Sequence, residues 1–397
     1  VNSTLDLAEP AARLADIKPS PIRAIFDRAS ELERAGERVI HLEIGRPDFD
    51  TPEVAKQRAA QAIADGKVHY GPNAGQPELR AAISRYLDRR HNLTYSPDDE
   101  VLVTIGANEA VFLAIMAFCG PGDEVVIPVP AWSAYVACVR LAGATPVILP
   151  LSADDGYQVN PDALAAVMTE RTRMVVLCTP HNPTGAVTDP KRLAGVADVV
   201  RDTRALVLSD EIYAELVYGG QRHISPASVA DLRHRTLVVG GFAKAYAMDG
   251  WRLGWLAGPK ELVRPALRIR QFTTICPTTF AQLGGAAALD EAGAEREAMR
   301  QEFERRRNVA LEVLAQQDVL SPGEPGGAFY LYLSYPERLG PSDELAWRLL
   351  EEQHVAVVPG TAFDSDGGKH ALRISYACGI DDLREGLNRL VATVQSN

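Results

Sequence analysis

From Val101 to Gly258 the chain carries seven short apolar runs, VLVTIG, EVVIPVP, TPVILPL, MVVLCTP, ALVLSDE, TLVVGGF and WLAG. Helical segments lie among them, including ANEAVFLAIMAF, a stretch ending at Leu141 and one near Leu193–Asp202. The runs are rich in Val, Ile and Leu and show no polar alternation. A strand with one wet face would alternate, so these are read as strands of a sheet buried on both faces. Dozens of such side chains, each worth about 1.5–3 kcal/mol when buried, suffice for a large α/β domain.

At 397 residues the chain has more length than that domain needs. Upstream, Pro19 and Pro21 introduce an amphipathic helix over Ile22–Arg38, with Ile22, Ile25, Ala29 and Leu32 at helical spacing. HLEIGRPDFDTP then reads as a strand ending near Gly45, followed by a helix from about Pro52 to Asp65. The loop of KVHYGPNAGQPELR presents Tyr70 beside Gly71 and Pro72, ahead of a helix through Leu87. After Thr279 the composition shifts, and AEREAMRQEFERRRNVALEVL reads as one long amphipathic helix. PGGAFYLYLS, VAVVPGTAF and ALRISYA read as three strands, with a helix around Leu345–Glu352 and another from Asp381, which makes a small α+β domain.

A net charge of −11 (41 − 52) argues against non-specific nucleic-acid binding. No run approaches the ~20 apolar residues of a membrane span, and VNSTLDLAEPAARLADIKPS lacks a basic-then-apolar leader, so a cytoplasmic protein is expected. The five cysteines, Cys119, Cys138, Cys178, Cys276 and Cys378, are odd in number and widely spaced. They give neither a disulfide framework nor a zinc-ligand spacing, and no metal is expected.

The chemistry centres on VGGFAKAYAMDGWRLGW, where Lys244 lies among glycines and small residues and Arg252 follows it eight positions on (252 − 244 = 8). Two cations in a largely apolar setting call for an anion, and a desolvated amine beside a second cation suits condensation with an aldehyde. Pyridoxal 5′-phosphate held as a Schiff base meets both demands; a snorkelling surface lysine with an ion-paired arginine is the alternative. Five further features answer the same cofactor. Gly106, Ala107 and Asn108 join a strand to a helix whose free N–H groups can hold a phosphate. Asp210 closes an apolar strand, where it can pair with a pyridine nitrogen or cap a following helix, and Tyr213 lies three residues on. Asn182 sits in the turn TPHNPTG, Trp132 in VPAWSAY could stack on the ring, and Arg373 is a lone cation in an apolar strand, suited to a carboxylate or to a structural salt bridge.

In order and context, GAN-A, P-x-W-x-x-Y, NPTG, DEIY, K-A-Y-A-M-x-G-W-R-L-G and L-R-I-S-Y resemble the class I aminotransferases, the aspartate/aromatic group of the fold-type I pyridoxal phosphate enzymes, from about Ala24 onwards. The resemblance implies a large domain with a mostly parallel seven-stranded sheet over residues 46–284. It implies an arm and part of a small domain over 1–45, and a small α+β domain over 285–397. It further implies ping-pong transfer of an amino group between an L-amino acid and a 2-oxo acid, with Lys244 as the Schiff-base lysine and proton carrier. Asp210, Asn182, Tyr213 and Trp132 would hold the ring; Arg252, Gly106, Ala107 and Asn108 the phosphate; Arg373, Asn182 and Gly45 the substrate carboxylate. Tyr70 would reach the phosphate of a neighbouring subunit in a homodimer with shared sites.

The chain departs from the family at Gly241 and Ala243, where serines are usual, and at Asp249, where threonine or proline is common. Asn108 stands where many aspartate-using relatives carry lysine, so aspartate is not implied as the donor. A relative performing elimination, cyclisation or carbon–carbon bond formation on an amino acid is the second reading. An amino-acid-sensing regulator fits poorly for want of a DNA-binding domain ahead of the fold, and a nicotinamide oxidoreductase for want of GxGxxG after any strand.

Overall fold

The computed structural model describes residues 11–17, 19 and 21–396; the first ten residues of the expected arm lie outside the described residues. Its strands are β1 (Ile40–His41), β2 (Val101–Thr104), β3 (Glu124–Val129), β4 (Thr145–Pro150), β5 (Thr172–Cys178) and β6 (Leu206–Asp210). They continue with β7 (Thr236–Gly241), β8 (Gly254–Ala257), β9 (Tyr330–Ser334), β10 (Val355–Ala356), β11 (Val358–Pro359) and β12 (Ala371–Ser375).

All seven apolar runs enter one sheet, in the order β2-β8-β7-β6-β5-β3-β4. Only β8 runs against its neighbours; the others are parallel. The strand period of two then fills both faces: Leu237 and Val239 of β7 join one apolar core while Val238 joins another. β4 departs from the expectation of double burial. It is the edge strand, and Leu149 is its only buried residue.

A second core gathers both ends of the chain, with Ile25, Ile40 and Leu42 packed among Phe303, Leu349 and Leu387. The first helix, Pro21–Arg34, stops four residues short of the expected Arg38, because Gly36 at φ 98° ends it. VAVVPGTAF is not one strand: β10 pairs parallel with β1 and β11 pairs antiparallel with β12, so the run is divided at Val357 between two sheets. The long helix is present as Gly293–Leu314, preceded by a separate helix Thr279–Glu291.

β1 carries a pH-sensitive brace. His41 Nδ1 lies 2.7 Å from Oε1 of the buried Glu43, and its Nε2 lies 3.1 Å from Glu33. The hydrogen bond to Glu43 is the main cause that raises the His41 pKa from 6.5 to about 9. The folded state therefore holds this proton more tightly than the unfolded chain does, so the stabilisation is complete below pH 6.5 and lost as pH rises through about 9. Urea midpoints measured across that window should fall with pH in the native chain and run flatter in His41→Asn.

Candidate active site

The strand directions bring the chemistry to one edge of the sheet. The carboxyl ends of β2, β3, β5, β6 and β7 all point to it, and β8, being reversed, starts there. Gly106, Trp132, Asn182, Asp210 and Lys244 each follow or close one of those strands, and Arg252 lies two residues before β8. Ligands of open α/β sheets bind outside such strand ends.

Asp210 is buried, and Tyr135 Oη donates to its Oδ2 at 2.6 Å while the Ile212 amide donates to Oδ1 at 3.2 Å. Burial raises its pKa, against the lowering effect of the Tyr135 hydrogen bond. No helix begins at Glu211; residues 212–215 form turns, so Asp210 does not act as a helix cap. Tyr213 is buried with its hydroxyl 2.9 Å from that of Tyr330, and burial raises its pKa well above 10.0. Trp132 packs edge-on against Tyr135, with ring centroids 5.4 Å apart.

Lys244 is half-buried rather than enclosed. Its Nζ donates to the Gly45 carbonyl at 2.6 Å and lies 5.9 Å from the Tyr213 ring centre and 5.8 Å from that of Phe329. Arg252 departs further from the expectation of an apolar setting. It is exposed, in the left-handed region at φ 53°, with Nη1 donating to the Asp249 carbonyl at 2.9 Å. Its guanidinium lies at the start of the helix Gly106–Phe118. A Cβ on Gly106, itself at φ 73°, would stand 2.8 Å from Arg252 Nη2. The N-cap, Ile105, offers no side-chain acceptor, and the Glu109 carboxylate takes only the Ile105 amide, so among the described residues no side chain is bonded to the first helical N–H groups, which stay available beside a cation.

Arg373 is buried on β12. Its Nη2 donates to the Glu43 carbonyl at 2.7 Å and its Nη1 to Asn182 Oδ1 at 3.2 Å. The ring centres of Tyr330 and Phe363 lie 4.4 Å and 4.8 Å from its guanidinium carbon. Among the described residues no carboxylate forms an ion pair with Arg373, its buried Nε has no partner, and desolvation lowers its pKa. The structural salt bridge considered from sequence is therefore not what satisfies it. Tyr70 stands apart from this group: it is 86% exposed, in a groove with His69, Cys276 and Thr278. Asn108 is likewise exposed.

Two residues outside the sequence-derived set belong to this geometry. Tyr135 orients Asp210, and Tyr330 joins Tyr213 to Arg373. Tyr135 sits one helical turn beyond Trp132, a spacing visible in the sequence, whereas Tyr330 was indistinguishable from the other aromatics of its strand.

The uncapped helix start, the cation facing it, a buried carboxylate and a reachable lysine amine match the parts of a phosphorylated pyridine aldehyde. Comparison with known proteins agrees. Residues 37–390 match the family described as aminotransferase class I and II. The chain is 41% identical over 392 residues to a bifunctional aspartate aminotransferase and glutamate/aspartate-prephenate aminotransferase of Petunia hybrida, covering 95% of this chain and 81% of the relative. It is 38% identical over 380 residues to an aspartate aminotransferase of Pyrococcus abyssi, covering 95% and 96%. The solved structure of a Thermus thermophilus aspartate aminotransferase with maleate superposes with a TM-score of 0.91 at 37% identity, covering 97% of this chain and 99% of that one.

Proposed function

This chain belongs to the aminotransferase class I and II family and is a pyridoxal phosphate-dependent transferase of amino groups; we propose that it passes the amino group of an L-amino acid to a 2-oxo acid in two half-reactions, with Lys244 as proton carrier. The observation that carries the substrate assignment is Arg373, a buried cation whose protein partners are two neutral oxygens. A substrate α-carboxylate supplies the missing charge and can take two parallel N–H bonds.

When bound, the cofactor supplies an aldehyde for the amine and a ring that accepts electron density from the substrate Cα. Asp210 would hold the ring nitrogen in its protonated form, kept in position by Tyr135. Trp132 would cover the ring face, with Asn182 and Tyr213 at its oxygen. Arg252 and the amides of Gly106, Ala107 and Asn108 would hold the phosphate. Lys244 Nζ, with the Gly45 carbonyl as its resting partner, would take the proton from substrate Cα and return it on the cofactor side.

The phosphate cradle depends on close backbone packing. A Cβ on Gly254 would stand 2.6 Å from the Gly106 carbonyl carbon and 2.7 Å from the Ala107 nitrogen. Gly254→Ala must push the helix start off the sheet, at about 1–3 kcal/mol for overpacking. Cofactor affinity, read by dialysis against decreasing pyridoxal phosphate, should fall at least about 10-fold.

We further place the enzyme in a homodimer with Tyr70 reaching the neighbouring site. Tyr70 and Phe272, each 86% exposed, support this as large apolar side chains that a second copy could cover. The five unpaired cysteines support a reducing, cytoplasmic setting. Among the described residues no helix is long and apolar enough to cross a membrane.

The test supplies the purified protein with cofactor and single amino acids, among them aspartate, glutamate, phenylalanine and tyrosine, with no oxo acid. Transamination yields about one matching 2-oxo acid per site and continues only when an oxo-acid acceptor is added. Release of an eliminated or cyclised product in repeated turnovers without acceptor would replace this reading by the second one.

A further inference from the structure

Glu211 follows Asp210, and the two-residue strand period turns its carboxylate to the opposite face of the sheet. There Ser209 Oγ donates to Glu211 Oε1 at 2.9 Å and Ser225 Oγ donates to the same oxygen at 2.5 Å. Oε2 accepts from His223 Nε2 at 2.7 Å. His91, the last residue of the helix Pro77–His91, meets the His223 ring edge-on at 5.2 Å and 87°. One nitrogen of each imidazole and one oxygen of Glu211 lie within 4.8 Å of one another.

The hydrogen bonds fix the state of these rings. Tyr86 Oη donates its single proton to Glu215 Oε1 at 2.9 Å and lies 3.2 Å from His91 Nε2. His91 Nε2 must therefore carry a hydrogen, and a neutral His91 turns a bare lone pair outward at Nδ1. Among the described residues that buried atom has no partner, and neither has His223 Nδ1, on a side chain 2% exposed. Arg90 and Arg296, next to Tyr86, are both held by Glu215.

We propose that His91, Glu211 and His223 bind one divalent transition-metal ion, with Zn²⁺ the ion this donor set fits. Two imidazoles and a carboxylate are ligands of the zinc type, and they leave a fourth position for water. Ligand atoms around a tetrahedral zinc stand about 3.3 Å apart, so side-chain shifts of an ångström or so close the site. The ion takes the place of the hydrogen on His223 Nε2, which moves to Nδ1 of the same ring. The Ser209 and Ser225 hydroxyls on Glu211 and Tyr86 on His91 are the outer contacts that hold metal ligands in orientation. Cysteine spacing gave no hint of this site, because its ligands are not cysteines and lie 120 (211 − 91) and 12 (223 − 211) residues apart. A bound ion would tie the helix end and the His223 loop to the strand that carries Asp210.

The test strips the cofactor-loaded enzyme with EDTA, dialyses it against ZnCl₂ at micromolar free Zn²⁺ and counts zinc by elemental mass spectrometry. We expect about one zinc per chain, with at least ~10-fold weaker retention in His91→Asn and in His223→Asn, whose cofactor absorbance stays that of the native enzyme. Anomalous scattering at the zinc edge from native crystals soaked in ZnCl₂ gives a readout that survives misfolding of either variant: a peak bonded to all three side chains is expected. No retained zinc in the native enzyme, equal retention in both folded variants, or a peak elsewhere overturns the proposal.

Discussion

Lys244→Ala should lower kcat/KM for the preferred amino donor by more than about 10⁴-fold, because on the proposed mechanism it removes both the amine that would hold the cofactor and the group that would carry the proton of substrate Cα. The expected pattern is specific. Circular dichroism and the urea midpoint should stay close to native, since Lys244 is half-buried and its one polar contact is with the Gly45 carbonyl. Small primary amines added to the variant should restore part of the rate in proportion to their concentration, because they can carry the proton through the space the side chain left. A variant that keeps more than a tenth of the native rate would remove Lys244 from the mechanism.

Arg373→Met separates activity from stability in opposite directions. The guanidinium is buried without a carboxylate, and desolvation disfavours its charge. Replacing such a charge by an apolar side chain of similar length should leave the cofactor-free protein as stable or more stable, by up to about 1–4 kcal/mol in urea titrations. On the proposed mechanism the same change would remove both N–H bonds to the substrate carboxylate. At about 1.4 kcal/mol per decade, loss of 3–4 kcal/mol of binding in the transition state lowers kcat/KM by about 10²–10³-fold. Arg373→Lys should lose most of that as well, since an ammonium cannot offer two parallel donors. A purely structural arginine predicts the reverse, with loss of stability and near-native kcat/KM.

The sequence carried those features that depend on neighbours in the chain. All seven apolar runs became strands of one sheet because continuous Val/Ile/Leu runs have few other stable placements. Lys244, Asp210 and Arg373 were legible as polar groups set in apolar surroundings. What could not be read depends on partners far along the chain. β4 looks like its neighbours in composition and differs only in lying at the edge. The division of VAVVPGTAF comes from β1, more than 300 residues upstream of β10 (355 − 40 = 315). The exposure of Arg252 and the role of Tyr330, which rests on its contacts with Tyr213 and Arg373, depend on residues outside their own runs.

The pairing of β1 with β10 also sets a schedule for synthesis. When Ile40 is added to the nascent chain its partner Val355 is still 315 residues (355 − 40) from being made. At roughly 5–20 residues per second the first strand waits about 15–60 s, with the apolar stripe of Ile25 and Ala29 uncovered. The central sheet, whose strands all lie between Val101 and Ala257, can close during that interval. The N-terminal segment cannot, since the strand it pairs with and the helices it packs on are still to be made.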